Sequence, residues 1–213
     1  MMQRTEKEIT ISGNPRKPVG EDGEKMLQRM NRSHASVTQW ALEHWEIEDD
    51  DQVLDIGCGG GATLKRMSEK IGSGQLMGVD YSSVSIKTSE ETNQEEVAAG
   101  KIHLIEASVE KLPFAADSFD KIITVESFYF WPDPKENLKE VLRVLKPGGT
   151  FLLVADTYNK EGLDQEVLKN IYQFHMFTPT EKEFYELMEQ AGFRKIQIHL
   201  QEGTDWICVE GKK

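Results

Sequence analysis

The chain has 213 residues, 38% of them hydrophobic, and 37 Asp and Glu against 25 Lys and Arg give a net charge of −12. That length suits one domain with a sizeable core and leaves no room for an elaborate second substrate domain. The acidic balance argues against a nucleic-acid partner, whose affinity rests on Lys and Arg neutralising phosphates.

In chain order, residues 1 to about 23 carry Gly13, Pro15, Pro18, Gly20 and Gly23 among charges, which predicts an irregular arm. Its Arg4, Lys7, Arg16 and Lys17 read as a diffuse, solvated tail. Over 24–45 the pattern turns helical, with Val37, Trp40, Ala41, Leu42 and Trp45 on one face. Residues 1–45 are therefore expected as an arm and cap helix over the sheet or the ligand site, and 46–213 as the main domain. After the acidic link Glu48-Asp49-Asp50-Asp51, strands and helices alternate, the pattern of a parallel sheet covered on both faces.

Strands are predicted at 52–56, 75–79, 102–106, 121–125 and 150–155. Between them fall helices at about 62–71, from Ser82 or Ser83 to about 99, and from Pro134, capped by Asp133, to about 146. A helix over 163–177 follows, then one that opens on a capping box in Thr178-Pro179-Thr180-Glu181 and ends at Gly192. The tail predicts a hairpin pairing 195–201 with 205–210.

Chemistry concentrates at Val53-Leu54-Asp55-Ile56-Gly57-Cys58-Gly59-Gly60-Gly61-Ala62, where an apolar strand breaks into four glycines and resumes as a helix. Without Cβ atoms, such a turn takes positive φ and lets a ligand lie against main-chain amides at a helix start. Asp80, at the end of the next strand, stands where a carboxylate accepts from both ribose hydroxyls of an adenosine cofactor. Gly57, Gly59 and Ala62 also satisfy the G-x-G-x-x-G/A fingerprint of dinucleotide binders, so an NAD-dependent oxidoreductase stays open here.

The ordered set of Asp55 before a G-x-G-x-G turn, Asp80, Glu110-Lys111-Leu112-Pro113-Phe114, Ser118-Phe119-Asp120 and Leu145-Lys146-Pro147-Gly148-Gly149 resembles class I S-adenosylmethionine-dependent methyltransferases. The likeness is to the small-molecule type similar to ubiquinone and menaquinone methyltransferases, and it covers about residues 50–213. It implies a Rossmann-like three-layer α/β sandwich. The sheet would be seven-stranded and mostly parallel, with a C-terminal antiparallel hairpin and an N-terminal helical cap. The implied cofactor is S-adenosyl-L-methionine and the implied partner a small-molecule methyl acceptor. A non-catalytic S-adenosylmethionine-binding module is the rival from another class.

By the same resemblance, the backbone of Gly57, Cys58, Gly59 and Gly61 contacts the methionine part of the cofactor. Asp55 holds its amino group, or else satisfies turn amides. Tyr81 lies against the adenine or is an ordinary core aromatic. After strand three the family often has an aspartate toward the adenine amine; here Ser108, followed by Val109, takes that place. The segment after strand four, Glu126-Ser127-Phe128-Tyr129-Phe130-Trp131, lacks the His pair usual in related enzymes. Phe128 and Phe130 are expected in the core, Tyr129 and Trp131 at the substrate pocket or the cationic methyl donor. Glu126 is placed to hold the cofactor, a cationic substrate or a substrate proton. His34 is either a general base or a surface or capping histidine.

The remaining histidines and two cysteines show no metal-ligand spacing, so no metal is expected, and Asp156 and Asn159 only faintly resemble the ligands of metal-dependent catechol methyltransferases. Cys208 is expected as a core residue. Residues 1–8 lack a signal-type apolar run and no stretch approaches a membrane span, which predicts a cytoplasmic protein.

Overall fold

The structure, a computed structural model, describes residues 4–213. Among them seven strands form one sheet: β1 (Gln52–Ile56), β2 (Gln75–Asp80), β3 (Ile102–Glu106), β4 (Phe119–Val125), β5 (Leu145–Ala155), β6 (Arg194–Leu200) and β7 (Ile207–Lys212). Their order is β3-β2-β1-β4-β5-β7-β6. The first five are parallel, whereas β7 runs antiparallel between β5 and β6. The strand order reverses between β1 and β4, where open α/β sheets leave a crevice at the carboxyl ends.

Both faces of the sheet are buried, because side chains alternate along each strand. On one face Phe151 and Leu153 of β5 join Leu138 and Val141 of α7 (Pro134–Val144) and Phe184 and Met188 of α9 (Glu181–Ala191). On the other, Leu152 and Val154 join Ala41 and Leu42 of α3 (Ala35–Glu43) and Leu64 and Met67 of α4 (Ala62–Ser68). Trp45 extends that second core and donates its Nε1–H to Thr150 Oγ1 at 2.8 Å. Cys208 lies within it, fully buried. This is the predicted three-layer, mostly parallel sandwich.

The N-terminal segment differs from the predicted irregular arm. Residues Glu6–Gly13 form helix α1, opened by Thr5 and Glu8 in a reciprocal capping box. Gly13 serves close packing rather than breakage: a Cβ there would lie 2.8 Å from the Asp22 carbonyl oxygen of α2 (Gly20–Ser33). Nor are the basic residues a free tail. Arg4 pairs with Asp22 at 2.7 Å, and Lys7 reaches Glu166 of α8 (Gln165–Phe174) at 3.2 Å.

The single helix predicted over 24–45 starts earlier, at Gly20, and breaks at His34, whose φ of −86° and ψ of 3° leave the helical range between α2 and α3. The helix predicted from Ser82 to about 99 divides at Asn93 into α5 (Ser83–Thr92) and α6 (Gln94–Ala98), because the buried Asn93 amide is drawn to the Gly61 and Ser89 carbonyls. The capping box before α9 pairs Thr180 with Glu183 instead of Thr178 with Glu181. Among the described residues no helix is long and apolar enough to cross a membrane.

Candidate functional site

A cavity of about 430 Å³ opens beyond the carboxyl ends of the parallel strands. Residues after β1, β2, β3, β4 and β5 all face it: Gly57, Tyr81, Ser108, Glu126 and Asp156. Helices α2 and α8 roof it with Met30, Asn31, Val167, Ile171 and Phe174.

The floor of one half is the glycine turn. Gly57, Gly59 and Gly61 take φ of +72°, +50° and +81°, values that side chains rarely adopt. At Gly57 a Cβ would fall 2.3 Å from Ser127 Oγ, so this glycine is demanded by packing as well as by φ. Asp80 braces the turn, accepting from Gly59 N at 3.1 Å and Ser82 N at 2.9 Å. Asn31 of the cap donates to the Gly60 carbonyl at 2.9 Å, docking α2 on the same turn.

Asp55 is 2% exposed, and burial, aided by the Asp80 charge, raises its carboxyl to about 8. Asp80 is raised by burial too, against the lowering pull of the Ser82 and Gly59 amides. Burial also holds the Cys58 thiol well above its ordinary value, so it lines the site as a neutral small side chain. Two buried acids that resist ionisation beside free backbone fit a cationic ligand carrying a diol, which would favour both carboxylates.

The other half is polar at its inner end and apolar at its walls. Glu126 has a left-handed backbone, φ +56°, fixed where its N–H donates to the Val154 carbonyl, and its Oε1 accepts from Asp156 N at 2.5 Å. Burial first, then the neighbouring Asp156 charge, push its carboxyl well above the usual range. Tyr129, 3% exposed, donates to Asp156 Oδ1 at 3.1 Å and accepts from Thr157 N at 3.2 Å. His34, at the break between α2 and α3, completes the group: one atom each of His34, Glu126 and Asp156 lies within 4.8 Å of the others. Burial lowers the His34 imidazole, opposed by the Asp156 charge.

The structure thus brings Asp55, Gly57, Cys58, Gly59, Asp80, Tyr81, Ser108, Val109, Glu126, Tyr129 and His34 to one cavity, while Gly61 lies just beneath as the N-cap of α4. Three expectations change. Tyr81 is no core aromatic: it is 37% exposed, its hydroxyl donates to the Arg16 carbonyl, and Lys17 Nζ lies 5.2 Å from its ring centre. Phe130, expected in the core, is only half-buried: it packs against the core's edge and lines the cavity, while Phe128 and Tyr129 of the same 3-10 turn are buried. His34 is neither surface-borne nor a side-chain cap, since α3 has no side-chain cap bond there and the ring meets Glu126 and Asp156. Trp131 lines the cavity, but its Nε1–H is already given to Ser127 Oγ at 3.1 Å. By resemblance the acceptor pocket is expected from residues 1–45 and about 157–180, but sequence reasoning singled out neither Asn31 nor the residues of α8 that form the roof; the spacing of Val167, Ile171 and Phe174 on one helical face was the available signal.

The fold and site define an open, doubly wound α/β domain with its cavity at the β1/β4 switch point. Residues 54–153 match the family described as methyltransferase domain. A 2-methyl-6-phytyl-1,4-hydroquinone methyltransferase of Oryza sativa subsp. japonica is 29% identical over 69% of this chain and 42% of its own length. A tRNA U34 carboxymethyltransferase of Nautilia profundicola is 33% identical over 81% of this chain and 60% of its own. Among solved structures, a Haemonchus contortus phosphoethanolamine N-methyltransferase complex with S-adenosylhomocysteine superposes with a TM-score of 0.78 at 13% identity. That superposition covers 99% of this chain and 60% of that one. The chain spans about two fifths to two thirds of the length of the first curated relatives it matches. Residues 54–153 are a methyltransferase domain, and with the fold and the relatives this supports a class I S-adenosylmethionine-dependent methyltransferase with S-adenosylmethionine as cofactor.

Proposed function

We propose that the protein transfers a methyl group from S-adenosylmethionine to a nucleophilic atom of a small molecule. One observation carries the reading: a single cavity joins the glycine turn and its two buried acids to a separate polar cluster with apolar walls. A cofactor and a second, smaller reactant can meet there. The cofactor supplies an electrophilic methyl on sulfur.

In this reading Gly57, Cys58, Gly59 and Gly61 offer main chain to the methionine part, Asp55 pairs its ammonium, and Asp80 accepts from the ribose hydroxyls. Tyr81, Ser108 and Val109 border the adenine. Ser108 already donates to Glu110 at 3.0 Å, so its contribution there is as an acceptor. The protein's main contribution to rate is alignment of nucleophile, methyl and sulfur, which supplies several kcal/mol. Glu126 and His34 manage the acceptor's proton, and Tyr129 fixes Asp156. Phe130, Trp131, Ile171 and Phe174 provide apolar surface to the acceptor's body.

The acidic chain supports a small, non-anionic acceptor over nucleic acid. We also propose a cytoplasmic setting, in keeping with the chain's composition. Thermal shift with S-adenosylhomocysteine against NADH, followed by label transfer from methyl-labelled S-adenosylmethionine to a metabolite panel, tests the reading. Stabilisation by NADH alone would overturn it, and binding without any transfer would favour the non-catalytic module.

A further inference from the structure

We infer that the acceptor is a primary or secondary amine, bound as its ammonium by His34, Glu126 and Asp156; this rests on the methyl-transfer reading above. The three residues come from three separate places, the α2–α3 junction and the ends of β4 and β5, yet converge within 4.8 Å. Three acceptors so spaced can all be reached from one point at about 2.8 Å, the length of an N–H···O contact to a charged partner. An ammonium nitrogen of a primary amine has three N–H groups to match them. The His34 ring makes no hydrogen bond among the described residues, although it sits in the cavity wall, so an acceptor nitrogen is left facing the space between the carboxylates.

Charge points the same way. Of the cations around the cavity, Arg29 is bonded to Thr10 Oγ1 at 2.8 Å and to the Glu6 carbonyl at 3.3 Å, and its charge helps burial to keep the His34 imidazole neutral. Arg66 is given to the Ala62 carbonyl at 3.1 Å, and Arg16 lies on the far side, beside Tyr81. Among the described residues no Lys or Arg is bonded to Glu126 or Asp156, so the pair offers no counter-charge to a phenolate or carboxylate acceptor. The apolar walls, Phe130, Trp131, Ile171, Phe174 and Met176, suit an aromatic or alkyl body attached to that nitrogen. A divalent cation would meet the same three groups and is the alternative occupant.

The step balances. The ammonium gives one proton to neutral His34, and its freed lone pair forms the N–C bond as the C–S bond breaks. The C–S pair stays on sulfur as a neutral thioether, the product leaves as the N-methyl ammonium, and the proton passes from His34 to solvent.

The test titrates 2-phenylethylamine and its alcohol counterpart, 2-phenylethanol, into protein saturated with S-adenosylhomocysteine. The amine is expected to bind roughly tenfold more tightly than the alcohol, and Glu126→Gln and Asp156→Asn each to erase most of that gap. His34→Ala, which loses no hydrogen bond within the protein, should narrow it too and serves if a carboxylate variant does not fold. Equal or tighter binding of the alcohol, or no amine binding while S-adenosylhomocysteine still binds, overturns the inference. So does stoichiometric uptake of Zn²⁺ or Mg²⁺ that His34→Ala abolishes. Loss of S-adenosylhomocysteine binding itself would instead strike the methyl-transfer reading.

Discussion

Cofactor binding should release a proton from Asp55. With its carboxyl raised to about 8, Asp55 is roughly nine-tenths protonated at pH 7 and roughly one-tenth at pH 9. A ligand ammonium beside it favours the carboxylate, so binding at pH 7 expels close to ~0.9 proton from this group, and at pH 9 ~0.1. Calorimetric titration of S-adenosylhomocysteine in buffers of different ionisation enthalpy reads the proton count directly. Asp80 and Glu126 are raised too, so the informative quantity is wild type minus Asp55→Asn. A difference near one proton at pH 7 that vanishes by pH 9 is expected. Equal proton counts for the two proteins would show either that Asp55 is ionised before binding or that it does not meet the ligand.

The same raised carboxyl makes the ligand-free protein less stable as pH rises. Asp55 binds its proton more tightly folded than unfolded, so its stabilisation is complete below about 3.8 and is lost on the way to about 8. Denaturant unfolding should therefore show about 2 kcal/mol less stability from this group at pH 8 than at pH 6.5, read as the wild type minus Asp55→Asn because Asp80 and Glu126 are raised too. Gly57→Ala forces a Cβ to within 2.3 Å of Ser127 Oγ at positive φ. It should cost about 2–3 kcal/mol in unfolding experiments and abolish S-adenosylhomocysteine binding. Asn31→Ala removes the bond to the Gly60 carbonyl, with an expected loss of about 1 kcal/mol and a weaker cofactor affinity by calorimetry. By contrast, Lys7→Ala breaks a pair whose side chains are 45% and 63% exposed, and the melting temperature should not move measurably.

The parallel core and the cofactor half of the site were legible because each depends on local sequence. Alternating apolar runs give β1 to β5, four glycines within five positions mark a turn, and Asp80 sits at a strand end. What was hidden depends on contacts between distant segments. Gly13 reads as a breaker until α2 is seen packed on it, and Pro15 and Pro18 merely separate two helices. A helix break at His34 carries no glycine or proline to announce it, yet that break turns the ring toward Glu126 and Asp156. The hairpin of β6 and β7 was visible as a hairpin. That β7 inserts beside β5 follows from its fully buried Ile207, Cys208 and Val209, which need cover on both faces. Asp156 joins the polar cluster only because β4 and β5 are neighbours, a fact of topology and not of spacing.

The central claim, that the turn from Gly57 to Gly61 together with Asp80 grips the adenosyl cofactor, is tested most directly by titrating S-adenosylhomocysteine into the wild type and Asp80→Ala. One-to-one binding by the wild type, with affinity lowered roughly 10- to 100-fold in the variant, is the expected result. No binding by a folded wild-type protein, or equal affinity in the two, would contradict it.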